Sequence, residues 1–201
     1  MLGADYDGTI CRDGWAPYRR FTNATHQTCV AHLLRRTNEM IADSVAGQAR
    51  IPHAVHRLLT DALALRAMRD AAQIGGAALD AAIAELEARV DKLVAAKVTH
   101  EPNRRLLAHL TNERDALFTF LRSEGIPATN HEAERAIRPQ VCARKNWGGN
   151  KSSRGARASA VTGSIIRTAT QQDLDPLAVL IEIATSDGAH NGLDLPEGPG
   201  P

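Results

Sequence analysis

Two carboxylates stand out by their settings. Asp13 follows a short stretch, residues 8–11, that reads as a strand, and it precedes Gly14-Trp15-Ala16-Pro17-Tyr18. An acid at a strand's end, on a glycine turn, can hold a hard cation or take a substrate proton; the same arrangement also serves as a plain turn residue or helix cap. Glu134 lies in Asn130-His131-Glu132-Ala133-Glu134-Arg135-Ala136-Ile137-Arg138-Pro139, one helical turn before Arg138. Spacing alone describes a surface ion pair there, worth little. His26, Cys29 and His32 follow one another with two residues between each. Imidazole and thiolate at that interval can supply part of a zinc site. The paired C-x-x-C and H-x-x-H pattern is absent and no fourth ligand is visible, so zinc is not expected. His32, at a helix start, could equally bond a neighbouring carboxylate.

The third feature is a run of cations. Between Arg135 and Gln172 stand Arg135, Arg138, Arg144, Lys145, Lys151, Arg154, Arg157 and Arg167, with no Asp or Glu. The whole chain sums to +1, so this segment at +8 leaves −7 for the remainder. The segment could face a polyanion. Its loop Trp147-Gly148-Gly149-Asn150-Lys151-Ser152-Ser153 suits phosphate contacts, because glycine lets backbone amides approach and arginine pairs in bidentate fashion. It is not a phosphate loop of the G-x-x-x-x-G-K type, which excludes that mode of nucleoside triphosphate binding.

These residues need elements to position them. Residues 8–11 and 25–28 read as short strands, and almost everything after 31 reads as helix. Apolar positions recur at helical spacing over 31–45, from Pro52 to Gly75-Gly76, over 77–98, and from Pro102 to Gly125. In the third of these, Leu79, Ile83, Leu86, Val90 and Leu93 step by four and three, the seam of a helix hairpin or short coiled coil. Residues 35–123 therefore read as a helical block, an antiparallel bundle or pair of hairpins. Past Gly125 the pattern predicts a loop, a cap at Thr129 or Asn130, and a short helix over 132–137 halted by Pro139. Further helices are expected over 155–171 and from Asp175-Pro176, and the Gly- and Pro-rich residues 187–201 read as a disordered tail.

Composition narrows the class. With 201 residues, 43% hydrophobic and 23% charged, the chain can bury a sizeable core. No apolar run reaches the roughly 18 residues of a membrane-spanning helix, and no export signal opens the sequence. Cys11, Cys29 and Cys142 are odd in number and sparse, which argues for a reducing compartment, read as cytoplasmic. Aromatics at 3% disfavour stacking platforms for single strands.

Taken together, the segments resemble one family. Asp13-Gly14-Trp15-Ala16-Pro17-Tyr18, His26-x-x-Cys29-x-Ala31-His32-x-x-Arg35-Arg36, Asn130-His131-x-Ala133-Glu134-Arg135-Ala136-Ile137-Arg138-Pro139 and Arg144-Lys145-Asn146-Trp147 look like the catalytic region of bacterial transposases of the insertion sequence 66 group. The likeness runs from about residue 2 to residue 184. It implies an RNase H-like fold whose three acids, two Asp and one Glu, hold two magnesium or manganese ions for DNA cleavage and strand transfer. By this resemblance Asp13 is the second acid and Glu134 the third, both metal ligands. Arg135, Arg138, Arg144, Lys145, Lys151, Arg154 and Arg157 would contact DNA at transposon ends, while His26, Cys29, His32 and Asn130 brace the site. A second copy of the chain or an intact transposase is a further implied partner.

The resemblance also implies a division: 1–34 with the second acid, an all-helical insertion over 35–123, and 124–186 with the third acid and basic loop. The fold expected is mainly α, a partial RNase H-like core of two short residual strands carrying that insertion. The first acid belongs on an earlier strand, and only twelve residues precede Asp13, with Asp5 and Asp7 in the wrong segment. The expectation is thus a C-terminal portion of the catalytic region, inactive alone, whose two strands, deprived of neighbours, are poorly ordered. The competing expectation is a non-catalytic DNA-binding or dimerisation module.

Overall fold

Thr9, Ile10, Cys11 and Arg12 alternate between outward and inward positions, and they form strand β1 (Thr9–Arg12). It pairs in parallel with β2 (Thr25–Thr28), Thr9 opposite Thr25 and Arg12 opposite Thr28. A parallel pair needs a crossover, supplied here by residues 13–24 with a 3₁₀ turn at Ala16–Arg20. Ile10, Phe21 and Ala24 form a small core beneath it, with Tyr6 and Tyr18 packed against them. The computed structural model describes residues 3, 5–45 and 47–185; the expected disordered tail, 187–201, lies outside the described residues.

The strands are not left as the loose remnant that the sequence suggests. Beyond the ladder, Cys29 N–H donates to Arg12 O (2.7 Å) and Val30 N–H to Ala128 O (2.9 Å). The carbonyl of His26 accepts from Thr119 Oγ1 at 2.6 Å. One backbone group of β2, the His26 carbonyl, is thereby taken up by the helical block, and the bonds of Cys29 and Val30 fix the chain where it leaves the strand.

That block consists of α1 (Val30–Ala42), α2 (Arg50–Asp70), α3 (Gly76–Val94), α4 (Glu101–Glu113) and the short α5 (Thr119–Arg122). Its core draws on the predicted apolar stripes: Leu33 from α1, Val55, Leu58, Leu59 and Ala62 from α2, Ile83, Leu86 and Val90 from α3, Leu106 and Leu110 from α4. Leu79 and Leu93 of the α3 seam pack at its margin.

The expected continuous helix from Pro102 to Gly125 is broken. After Glu113 the chain tightens into a 3₁₀ turn (Arg114–Ala116) before α5, and this carries Leu117, Phe118, Phe120 and Leu121 into the core. The groups freed by the break find partners. Fully buried Gln27 donates to Leu117 O (3.2 Å) and accepts from Phe120 N–H (2.8 Å). Arg69 donates to Phe120 O (2.7 Å) and Leu121 O (3.0 Å), capping α5. A glutamine from a distant strand and an arginine from α2 thus replace the missing helical bonds.

The chain divides into two compact units, Leu2–Asn130 and a second that begins at His131. The described part of the second holds α6 (His131–Trp147), α7 (Ser153–Gln171) and α8 (Pro176–Thr185). Here another expectation fails, because α6 runs through Pro139 rather than halting there. Proline removes one i→i−4 bond at a cost of about 3 kcal/mol, but its φ near −65° is itself helical. Pro139 is exposed and α6 buries no residue, so the helix continues through the proline on a backbone angle that proline already holds, without packing at that position. Gly148 and Gly149, at φ +77° and +86°, turn the chain back, and Ser152 Oγ caps α7 by accepting from Gly155 N–H at 3.1 Å.

Candidate functional site

Asp13 sits where β1 ends, and the residue before it anchors the strand. Arg12 is 5% exposed and its Nη1 lies 2.5 Å from Oε2 of Glu113, which is itself fully buried at the end of α4. Glu113 also accepts from Thr28 Oγ1 at 2.7 Å and from Arg19 Nη2 at 2.9 Å. Burial pushes the Glu113 carboxyl up. The bonds from Thr28 and Arg19 and the charges of Arg12 and His109 outweigh it and hold the group below the ordinary carboxylate range.

The residue after Asp13 is held as tightly. Gly14 adopts φ +90°, and a Cβ there would stand 2.6 Å from Cε1 of His109; only glycine meets both demands. Asp13 Oδ1 accepts from Trp15 N–H at 3.1 Å, closing the turn, while the residue stays exposed. Asp13 then faces a cavity of about 290 Å³ with His32, Arg35, Arg36, Glu39 and His109. Burial holds His109 below the usual imidazole range, with Glu113 opposing and Arg36, Arg19 and Arg12 reinforcing. Burial, then the charge of Arg105, likewise lowers Arg36.

The structure sends His26, Cys29 and His32 to three different tasks. His26 Nδ1 accepts from Arg12 Nε at 3.1 Å, so its Nε2 carries the proton and donates to Phe21 O at 2.9 Å. Cys29 is buried, and its Sγ accepts from Asn130 N–H at 3.4 Å. His32 lines the Asp13 cavity. Among the described residues no three His, Cys, Asp or Glu side chains are disposed to hold a metal ion. The donors around Asp13 therefore do not by themselves fit a divalent-ion centre.

Glu134 belongs to the second unit, in the first turn of α6, where an acid is favoured by the helix dipole. It lines a cavity of about 490 Å³ with His131, Arg135 and Arg138, and Arg135 Nη2 lies 3.1 Å from His131 Nε2. Arg144 and Lys145 occupy the last turn of α6, Lys151 the following loop, and Arg154 and Arg157 the start of α7. All seven of these cations are exposed, the condition for phosphate contact.

Comparison with known proteins decides the family. A model described as "Transposase IS66 family" matches residues 1–158. The chain belongs to the IS66 transposase family. A stretch of 71 residues, 35% of this chain, is 37% identical to "Uncharacterized protein y4hP" of Sinorhizobium fredii (strain NBRC 101917 / NGR234) and spans 13% of that protein. No solved structure matches. The IS66 match takes in Asp13, the His26–Cys29–His32 set, Glu134 and the cations up to Arg157, and it leaves out Arg167 and α8.

Two residues of this IS66 chain escape a motif-based reading: Glu113 and His109. The signal for Glu113 is present but faint. Leu106, Leu110, Glu113 and Leu117 step by four, three and four, which places a carboxylate on an apolar stripe. For His109, which lies against Gly14 across 95 residues of sequence, local pattern carries no signal. No described helix is long and apolar enough to cross a membrane.

Proposed function

We propose that this chain is part of the DNA-transposing machinery of an insertion sequence, contributing the second and third acids, Asp13 and Glu134, of an RNase H-like catalytic centre of the DDE type. The family match across 1–158, spanning both acids, carries this reading. The parallel strand pair with an acid fixed at the end of β1 supports it. The helical stretch 35–123 is then an insertion between the two acids. The substrate is duplex DNA at transposon ends in the cytoplasm, and the reaction is phosphodiester cleavage and strand transfer. Arg135 and Arg138 engage phosphate beside Glu134, and Arg144, Lys145, Lys151, Arg154 and Arg157 follow the backbone.

Magnesium or manganese, the ions such a centre employs, needs more donors than the described residues bring to Asp13. The 201-residue chain alone accordingly binds DNA without cutting it. Purified protein incubated with labelled transposon-end duplex and either ion tests this: retention of DNA with no cleavage is the expected result. Metal-dependent cleavage abolished by Glu134→Gln overturns the inactivity. The exposed cations of α6, its following loop and the start of α7 equally suit a second reading, a DNA-binding or dimerisation module without catalysis. Binding unchanged by magnesium and by Asp13→Ala supports that module; binding strengthened by magnesium only when Asp13 is intact opposes it.

A further inference from the structure

The first unit is poor in net positive charge, yet its helices gather cations at one place. Arg50, His53 and Arg57 step by three and four along α2, and Arg89 and Lys92 are three apart on α3; each set lies on one helical face. The two faces line a groove of about 690 Å³ with Ala54 and Leu93 among its apolar residues. Arg89 is engaged with Asp61 at 2.7 Å. Arg50, Arg57 and Lys92 are exposed and form no ion pair with a described carboxylate. The groove thus holds uncompensated positive charge outside the basic segment that the sequence displays.

The arrangement of that charge points to its occupant. Arg50 and Arg57 are seven residues apart on one helix, about 10 Å along its axis at about 1.5 Å per residue. That separation is wider than a single phosphate, so these cations suit successive phosphates of a strand rather than converging on one anion. The described lining has no carboxylate and no side-chain amide with which to read bases. We propose that the α2–α3 groove is a second, sequence-independent contact for the phosphate backbone of duplex DNA, separate from the cations of α6 and α7. This rests on the reading of the chain as a DNA-binding protein.

Fluorescence anisotropy of the full chain with a labelled mixed-sequence duplex of about 30 base pairs, titrated from about 50 to about 200 mM salt, tests the groove. The double variant Arg57→Gln/Lys92→Gln, both sites exposed, should lower the slope of log affinity against log salt by about 2 and affinity by about tenfold. Arg144→Gln/Lys145→Gln serves as the comparison in the second unit, and circular dichroism confirms that each variant is folded. Wild-type binding with the groove variant unchanged in slope and affinity overturns this proposal alone. A groove variant that alters sedimentation of the free protein while leaving the salt slope intact assigns the groove to a second copy and also overturns it. No binding by the wild type at the lowest salt overturns both this proposal and the DNA reading beneath it.

Discussion

Glu113 and Arg12 form an ion pair shut off from solvent, 2.5 Å from Oε2 to Nη1, at the residue immediately before the acid Asp13. It joins the end of α4 to the end of β1, so the helical block sets where that strand stops. Removing one partner leaves the other charge buried and alone, which costs about 3–5 kcal/mol. Glu113→Gln should lose about that much stability in urea denaturation. Arg12→Met/Glu113→Leu, which removes both charges, should lose less than either single change; a double variant as unstable as the sum of the singles argues against the pair as the link.

Acid should weaken the same region in two stages. His109 is held below its ordinary value of 6.5, so between that value and its folded one the unfolded chain binds the extra proton. Stability is therefore full above about pH 6.5 and falls as pH drops through that window. Glu113, held below 4.5, adds a second loss from that value downward. Urea midpoints from about pH 8 to about pH 2 should fall in this order, with the upper stage absent in His109→Gln. An equal upper stage in the variant removes His109 as its source.

Gly14→Ala sets a side chain against His109 and forces a left-handed backbone on an alanine. The expected loss is about 2 kcal/mol or more, from strain and contact together. His109→Ala in the same chain should relieve the contact but not the strain, recovering part of the loss. Thermal melts of the three variants measure this; full recovery means that the backbone at Gly14 is unstrained.

The three cysteines should react at very different rates. Burial, with Cys29 nearby, pushes the Cys11 thiol up to about 12, so near pH 8 only about one in ten thousand is thiolate. Cys29 is 1% exposed, and Cys142 stands open on α6. A thiol reagent should therefore label one site promptly in native protein and all three in urea. Loss of the prompt reaction in Cys11→Ser, with Cys142→Ser unaffected, contradicts the assignment.

Much of this molecule is readable from local pattern. The two strands, the α3 seam and the helices of the block lie close to where alternation and four-three spacing put them, because burial of one face is a property of neighbouring residues. The failures have different causes. Pro139 reads as a stop because it lacks an N–H, yet its φ is itself helical and the helix tolerates the one lost bond, whereas the break after Glu113 is invisible because Gln27 and Arg69, which satisfy the freed backbone groups, come from remote segments.

The candidate site divides along the same line. Residue type and order single out Asp13, Glu134 and the run of cations beside Glu134, since those depend on charge and spacing within short motifs. Only the tertiary structure places Glu113 beneath Arg12, His109 against Gly14, and Arg57 across a groove from Lys92. Each of these joins residues at least 35 positions apart. Such contacts are decided by how helices pack around a common core, and short-range periodicity carries no record of them.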